Sequence, residues 1–304
     1  MKLSLVIPCY NEESCIRAFY EEVLKQSLNC EIEFIFVNDG SKDKTLTVLR
    51  KLATEDSRIH YVSFSRNFGK EAALLAGLKH ASGDYVATLD VDLQHPVSLL
   101  KSMLQAVSNG NYDCAAAQRI SRQGEPIFRS LLSRLFYFVL NKLSDIETLS
   151  GETDYRMMTR QVINAILSLN EVNRFTKGIY AWVGFRTLWL PFENIERVKG
   201  ETKWSMWKLF KYSIEGLSAF STLPLQMASV AGLLSCAGAL GYLLYVLIKT
   251  FLFGDTVPGY PTLVCLILFL GGLQLFSIGL LGNYLAKTYL ETKRRPTYIV
   301  QEKK

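Results

Sequence analysis

Two long stretches without a charged residue, near the C-terminus, constrain this chain more than any other feature. Residues 225–248 and 262–286 contain no Asp, Glu, Lys or Arg. Each exceeds the ~20 helical residues that cross the hydrocarbon core of a bilayer. The segment between them, 249–261, contains the glycines and prolines of a turn. Buried helices of a water-soluble protein are the alternative, but two consecutive runs favour a two-helix transmembrane hairpin, spanning about 225–250 and 262–287.

Basic residues predict the orientation of this hairpin. Six lysines and arginines follow the second run, whereas the turn between the runs carries only Lys249 against Asp255. The positive-inside rule then places both chain ends in the cytoplasm, at the inner face of the cell membrane. The apolar residues 1–9 are too short for a secretory signal and contain Pro8.

Composition and length limit which binding partners, cysteine chemistry and number of domains the chain can have. The formal net charge of +6 suits contact with anionic membrane lipids, and no basic tract within the first 200 residues favours nucleic acid. The six cysteines are scattered and form no Cys-x-x-Cys pair, which indicates reduced thiols and neither disulfides nor a zinc site. A length of 304 residues allows about two domains.

Apolar runs and helical patterns alternate over residues 1–120. The expected strands are 3–9, 31–37, 61–64, 85–89 and 113–118, and the expected helices are 11–27, 41–54, 70–80 and 96–108. This α/β alternation predicts a mainly parallel sheet with helices on both faces. Polar residues follow the strand ends, so Tyr10, Asp39, Asp90 and Arg119 are expected along one edge of the sheet.

Two aspartates follow the fourth expected strand. Asp90 and Asp92 would point the same way if the extended backbone continued as far as Asp92. Carboxylates suit a divalent cation such as Mg²⁺, which prefers oxygen ligands and shares them with substrate phosphates. Gln94 can add an amide oxygen. The alternative is that both aspartates cap a turn.

Two further segments indicate contact with the membrane. Residues 127–143 are apolar over most of a helical surface, interrupted by basic residues, and fit either a core helix or a helix near the membrane. Residues 201–218 place tryptophans on one helical face and lysines on another, as an interfacial helix does.

Several motifs together resemble one family. They are VIPCYNEE (6–13), VNDGSKDKT (37–45), SRNFGKEAAL (65–74), GDYVATLDVDLQHP (83–96) and ERVKGETKW (196–204). With the C-terminal hairpin, they resemble family 2 glycosyltransferases of the GT-A fold over essentially the whole chain. Within that family the chain is similar to polyprenyl-phosphate glycosyltransferases, which include dolichol-phosphate mannose synthases and bactoprenol glucosyltransferases. His95 departs from the pattern, where Asp is common.

The resemblance implies roles for particular residues. The nucleotide sugar would be held by Pro8, Tyr10, Glu12, Val37, Asp39, Asp90, Val91, Asp92 and Arg119. The ligands of Mg²⁺ or Mn²⁺ would be Asp90, Asp92 and Gln94. The donor and acceptor phosphates would meet Arg119, Arg197 and Lys203.

Purely structural roles remain alternatives for some of these residues. Taken alone, Arg197 and Lys203 would be a solvated charge pair on a loop, but the spacing Arg-x-x-Gly-x-x-Lys just before the expected interfacial helix favours a functional role. Asp154, in GETDYR, would serve catalysis by orienting the sugar or the acceptor, or would form a local salt bridge with Arg156.

The resemblance also implies a reaction and an organisation. The reaction is inverting transfer of one hexose, glucose from UDP-glucose, to polyprenyl (undecaprenyl) phosphate, for cell-envelope glycan modification. Another sugar, a polysaccharide synthase, a non-catalytic nucleotide-sugar-binding protein and a membrane scaffold are the alternatives, and a homo-oligomer is left open. The expected parts are a catalytic domain (1–200), an interfacial helix and linker (201–223), the hairpin (224–290) and a basic tail (291–304).

Overall fold

The computed structural model describes residues 1–120, 151–193, 223–253 and 259–304. The chain divides into two compact units, Met1–Ala219 with Arg295–Lys304, and Phe220–Arg294. The strands of the first unit are β1 (Lys2–Cys9), β2 (Glu31–Asn38), β3 (Ile59–Phe64), β4 (Tyr85–Thr88), β5 (Cys114–Arg119), β6 (Glu152–Thr159), β7 (Thr187–Phe192) and β8 (Val300–Lys303). Its described helices are α1 (Ile16–Leu24), α2 (Thr45–Glu55), α3 (Lys70–His80), α4 (Leu99–Ser108), α5 (Arg160–Ser168) and α6 (Thr176–Trp182).

The eight strands form one sheet in the order β7-β5-β6-β4-β1-β2-β3-β8. Strands β1, β2, β3 and β4 pair in parallel, as do β5 and β7. Strand β6 runs antiparallel between β4 and β5, and β8 runs antiparallel beside β3. The expected mostly parallel sheet is confirmed, and two antiparallel strands that were not expected complete it.

Helices cover both faces of the sheet, as the alternation in β1 shows. Leu3, Leu5 and Ile7 point into a core shared with α1, α2 and α4. Val6 points to the other face, where α3 packs. A Cβ atom on Gly77 of α3 would lie 2.1 Å from Val6 Cγ1, so the missing side chain lets this helix approach the sheet.

Three helices begin later than their sequences suggest. Helix α1 begins at Ile16, because Asn11 has a positive φ of 55° and its amide donates to the Ser41 hydroxyl at 2.9 Å. Helix α2 begins at Thr45, four residues after the expected start at Ser41. Helix α4 begins at Leu99, three residues after the proline expected to start it.

The C-terminal residues form the last strand of the sheet. In β8 the Glu302 carboxylate accepts hydrogen bonds from Arg50 Nε at 2.9 Å and from the Tyr61 hydroxyl at 2.5 Å. Just before it, the Tyr298 ring stacks on Phe64 with centroids 4.8 Å apart. The basic tail expected after the second apolar run thus includes a strand that pairs one edge of the sheet.

The second unit contains two long helices, α7 (Leu223–Phe253) and α8 (Tyr260–Thr292), which contact each other. Large apolar side chains project from both, among them Leu233 at 71% exposure and Leu275 at 72%. Within the described residues, one segment, Phe269–Thr292, is long and apolar enough to cross a membrane, and none of its most apolar window is buried. Burial in a protein core therefore does not account for this segment.

Some expectations concern residues that the structure does not describe. The expected helices at 127–143 and 201–218, together with Arg197 and Lys203, lie outside the described residues. Most of the turn between the two apolar helices, 254–258, lies outside them as well.

Candidate active site

The polar residues that follow the parallel strands lie along one edge of the sheet. Tyr10 follows β1, Asp39 follows β2, Asp90 follows β4, and Arg119 ends β5. Because β6 is antiparallel to β4 and β5, its first residues lie at this same edge. Asp154 is thereby brought beside the expected site, although it is 64 positions from Asp90 in the chain.

The two aspartates after β4 lie in a turn and not on an extended strand. Strand β4 ends at Thr88, and Leu93 has a positive φ of 57° that reverses the chain. Asp92 Oδ1 accepts a hydrogen bond from the Gln94 amide at 3.1 Å. The extended backbone, on which the expected alignment of Asp90 with Asp92 depended, therefore does not continue to Asp92, and the alternative role of a turn cap is observed for Asp92.

Lys70, which was not predicted from the sequence as a site residue, forms ion pairs with two carboxylates at this edge. Lys70 Nζ lies 2.7 Å from Asp90 Oδ1 and 2.7 Å from Asp154 Oδ2. Lys70 belongs to the SRNFGKEAAL motif, but its spacing in the chain carries no signal that it meets residues 90 and 154. Only the packing of α3 against the sheet brings the three together.

The opposite charges of Lys70 and Asp154 stabilise the charged form of each group. Burial alone would raise the pKa of Asp154, but attraction to Lys70 and Lys177 lowers it to about 2. The partial burial of Lys70 alone would lower its pKa, but the carboxylates of Asp154 and Asp90 raise it. Asp154 and Lys70 are both charged at neutral pH, and Asp154 is a weak proton acceptor.

Asp39 holds the loop that leads to Lys70. Its carboxylate accepts hydrogen bonds from the amides of Phe68 at 2.6 Å and Gly69 at 3.0 Å. The following Gly40 has φ +62°, and a Cβ atom there would lie 2.2 Å from the Arg66 carbonyl carbon. A carboxylate has about four lone-pair sites, of which these amides take two, but Asp39 is 3% exposed, so little of its carboxylate is open to a ligand.

Burial also limits how two other expected nucleotide contacts, Val37 and Val91, can work. Val37 is fully buried and Val91 is 3% exposed, so their side chains belong to the core. Only the backbone of these two residues can face a ligand. Pro8, Tyr10 and Glu12 are each partly exposed and can present side chains.

The start of β6 is fixed to its neighbours. The Arg119 amide donates to the Gly151 carbonyl at 2.9 Å. Gly151 has φ +85°, and a Cβ atom there would lie 2.3 Å from the Arg119 carbonyl oxygen. The Thr88 hydroxyl donates to the Asp154 carbonyl. These contacts set the backbone from which the Asp154 carboxylate projects.

Arg156 does not pair with Asp154, contrary to the local salt bridge considered above. Its guanidinium contacts the Glu152 carboxylate in the interior and lies 4.4 Å from the Tyr180 ring centroid. Arg156 is 2% exposed, so it stabilises the interior and is remote from solvent. The Asp154 carboxylate pairs with Lys70 instead.

The residues at this edge fit a divalent cation. Asp90 and Asp154 already hold one cationic group between them, and both offer the oxygen ligands that Mg²⁺ and Mn²⁺ prefer. Within the described ranges, no three His, Cys, Asp or Glu side chains form a ready metal cluster. Mg²⁺ commonly takes one or two carboxylates and completes its shell with water and substrate phosphates, so such a cluster is not required.

Comparison with known proteins identifies the family. Residues 4–167 match the family model described as glycosyl transferase family 2. The chain is 40% identical over 306 residues to the prophage bactoprenol glucosyl transferase homolog of Escherichia coli (strain K12), covering 100% of both chains. It is 42% identical to the bactoprenol glucosyl transferase of Shigella phage SfV, covering 100% of this chain and 99% of the relative.

Among solved structures, Staphylococcus aureus TarS 1–349 in complex with UDP-GlcNAc is similar at 20% identity and a TM-score of 0.48, over 72% of this chain and 66% of that one. The family match and the observed sheet confirm a GT-A-like α/β fold with a mostly parallel sheet. The family model covers more than half of the chain, and the relatives align along its full length. This chain belongs to glycosyl transferase family 2.

Proposed function

We propose that this enzyme transfers one hexose, glucose from UDP-glucose, to polyprenyl phosphate with inversion at the anomeric carbon. The observation that carries the proposal is the identity of 40–42% to bactoprenol glucosyl transferases along the full chain, including the two C-terminal helices. The product would be a lipid-linked sugar for modifying cell-envelope glycans.

The reaction places modest demands on a base. An acceptor phosphate oxygen attacks the anomeric carbon while the bond to the nucleoside diphosphate breaks on the opposite side. A phosphate acceptor is already largely ionised near neutral pH, so no strong base has to remove a proton. The low pKa of Asp154, about 2, suits a residue that holds charge and positions groups.

Named residues at the sheet edge would serve the donor. Asp90, Asp92 and Gln94 would hold Mg²⁺ or Mn²⁺, which when bound offsets the charge that develops on the leaving diphosphate. The nucleotide would lie along the ends of β1 and β2, against Pro8, Tyr10, Glu12, Asp39 and the backbone of Val37 and Val91. The phosphates would be met by Arg119, Arg197 and Lys203.

Transfer of labelled sugar from the nucleotide-sugar donor to lipid tests this proposal directly. Membranes containing the full chain would be incubated with undecaprenyl phosphate and a panel of labelled UDP-, GDP- and dTDP-sugars, and the lipid then extracted. We expect label in the lipid from UDP-glucose, and NMR of the product reports inversion. A water-soluble or insoluble polymer would indicate a polysaccharide synthase. Absence of labelled lipid with every donor would contradict the proposal.

We also propose that α7 and α8 both span the cell membrane, with the catalytic unit and both chain ends in the cytoplasm. The uncharged runs, the exposed apolar side chains and the basic C-terminal residues support this topology. Single cysteines at Thr256 and Thr297, in a background without the native cysteines, would be treated with an impermeant label on intact cells. Labelling at 256 alone is expected, and labelling at 297 before permeabilisation would contradict the topology.

A further inference from the structure

The Lys70 ammonium lies between two carboxylates, that of Asp90 in the turn after β4 and that of Asp154 on β6. Its ammonium contacts both oxygens of Asp90, at 2.7 and 3.0 Å, and Asp154 Oδ2 at 2.7 Å. The side chains of all three residues remain partly open to solvent, at 40%, 29% and 21% exposure. The pairing is therefore accessible to an incoming ion or ligand.

The backbone of Lys70 is held on both sides. Asp39 fixes the two preceding amides, as described above, and Gly69 adopts φ +98° immediately before the helix. On the other side, the Glu71 carboxylate accepts a hydrogen bond from the Thr176 amide at 3.0 Å. The flexible part of Lys70 is its side chain, which can move while its Cα atom stays in place.

The ammonium and a divalent ion would compete for the same carboxylate. A metal ion that arrives alone must displace Lys70 from Asp90, which leaves an ammonium beside the metal charge. A nucleoside diphosphate that arrives with the metal brings anionic oxygens to which the displaced ammonium can bind. The cost of moving Lys70 is then offset only when both ligands are present.

We propose that Lys70 is an internal counter-ion that couples metal binding to nucleotide binding. Its ammonium contacts Asp90 and Asp154, and it would pass to the diphosphate oxygens when metal and nucleotide bind together. This inference rests on the metal–diphosphate site proposed above. Because the coupling is reciprocal, the metal must increase nucleotide affinity by the same factor by which nucleotide increases metal affinity.

The test measures Mn²⁺ affinity of the purified full-length chain by electron paramagnetic resonance, which detects free Mn²⁺, with and without saturating UDP. In wild type we expect UDP to tighten Mn²⁺ binding by on the order of ten- to a hundredfold. In Lys70→Met, Mn²⁺ binding without UDP should become tighter than in wild type by about tenfold. The factor by which UDP tightens Mn²⁺ binding should be smaller in this variant than in wild type by a similar amount.

Two variants control for structural effects. Lys79→Met removes a charge from the exposed end of the same helix and should behave as wild type. Lys70→Gln removes the charge but keeps a hydrogen-bond donor, so it should fold even if Lys70→Met does not, and it should show the same loss of coupling.

Each outcome decides the question. Coupling of wild-type size in Lys70→Gln or Lys70→Met overturns the counter-ion role, and so does unchanged Mn²⁺ affinity without UDP in both variants. If wild type binds Mn²⁺ neither alone nor with UDP, the metal site itself is wrong and this inference falls with it. Transfer of sugar to lipid is measured separately, so failure of this inference and failure of the proposed function remain distinguishable.

Discussion

The two ends of the parallel strands each carry a lysine–carboxylate cluster, and the clusters differ in how they are completed. At the amino ends, the Glu33 carboxylate binds Lys2 Nζ at 2.6 Å, the Ser4 hydroxyl at 2.5 Å, and the Ser82 amide and hydroxyl at 2.7 Å each. The Glu33 side chain is 6% exposed. Burial alone would raise its pKa, but these donors lower it to about 2.

At the carboxyl ends, the partner of the carboxylates is a side chain that can move. Asp90 and Asp154 share the ammonium of Lys70, and their side chains are 29% and 21% exposed. Fixed amides and hydroxyls around Glu33 leave little room for a ligand, whereas a single lysine can be exchanged for one. The comparison teaches that the Glu33 carboxylate is closed in by several donors, whereas Asp90 and Asp154 share one long side chain, which is the partner that we propose is exchanged for a metal ion.

The largest expected effect is loss of transfer when either aspartate proposed to bind the metal is neutralised. Asp90→Asn and Asp92→Asn should each reduce the rate by roughly 10²–10³-fold, because stabilisation of developing charge contributes that much. The rate of lipid-linked sugar formation at saturating Mg²⁺ is the measurement. Unchanged thermal unfolding would show that each protein still folds. Near-normal turnover by either variant would contradict the assignment of that aspartate as a metal ligand.

A smaller loss is expected from the basic residues proposed to meet the phosphates. Arg197→Ala and Lys203→Ala should each slow transfer by about ten- to a hundredfold, since a charge-assisted contact contributes about 1.5–3 kcal/mol and 1.4 kcal/mol is tenfold. Initial rates in membranes at matched expression provide the measurement. Lys101→Ala, an exposed change on α4, is the control. Rates close to wild type for both variants would favour the solvated-loop interpretation.

The smallest effect on activity is expected at the saturated cluster, where stability should change instead. Glu33→Gln should lower the free energy of unfolding by about 1–3 kcal/mol, because it removes a charge that Lys2 and three neutral donors are arranged around. Transfer should stay near wild type. Glu31→Gln, at a side chain that is 70% exposed, is the matched control.

The pH dependence of this last effect follows from the lowered pKa of Glu33. Its stabilising contribution is complete above the unfolded-state pKa of about 4.5 and is lost as the pH falls toward the folded-state pKa of about 2. The difference in Tm between wild type and Glu33→Gln should therefore be full at pH 7 and shrink below pH 4.5. A difference that stays constant down to pH 3 would contradict the assignment.

Much of this architecture was predictable because it is encoded locally. Strands β1 to β5 follow from short apolar runs, and side-chain alternation places their residues on opposite faces. Polar residues just beyond each run predicted the edge that holds Tyr10, Asp39 and Asp90. Helix starts were less predictable, since amides such as that of Asn11 bond to the neighbouring loop instead of to a cap of their own.

By itself, the sequence determined the family, the α/β alternation, the two apolar runs and the acidic residues after β4. Tertiary structure alone decided that β6 lies between β4 and β5, that residues 300–303 complete the sheet, and that Lys70 meets Asp90 and Asp154. The physical reason is that a strand's pattern records which of its faces is buried, but not which strand it pairs with. That choice depends on packing between segments far apart in the chain, and here it assembles the site.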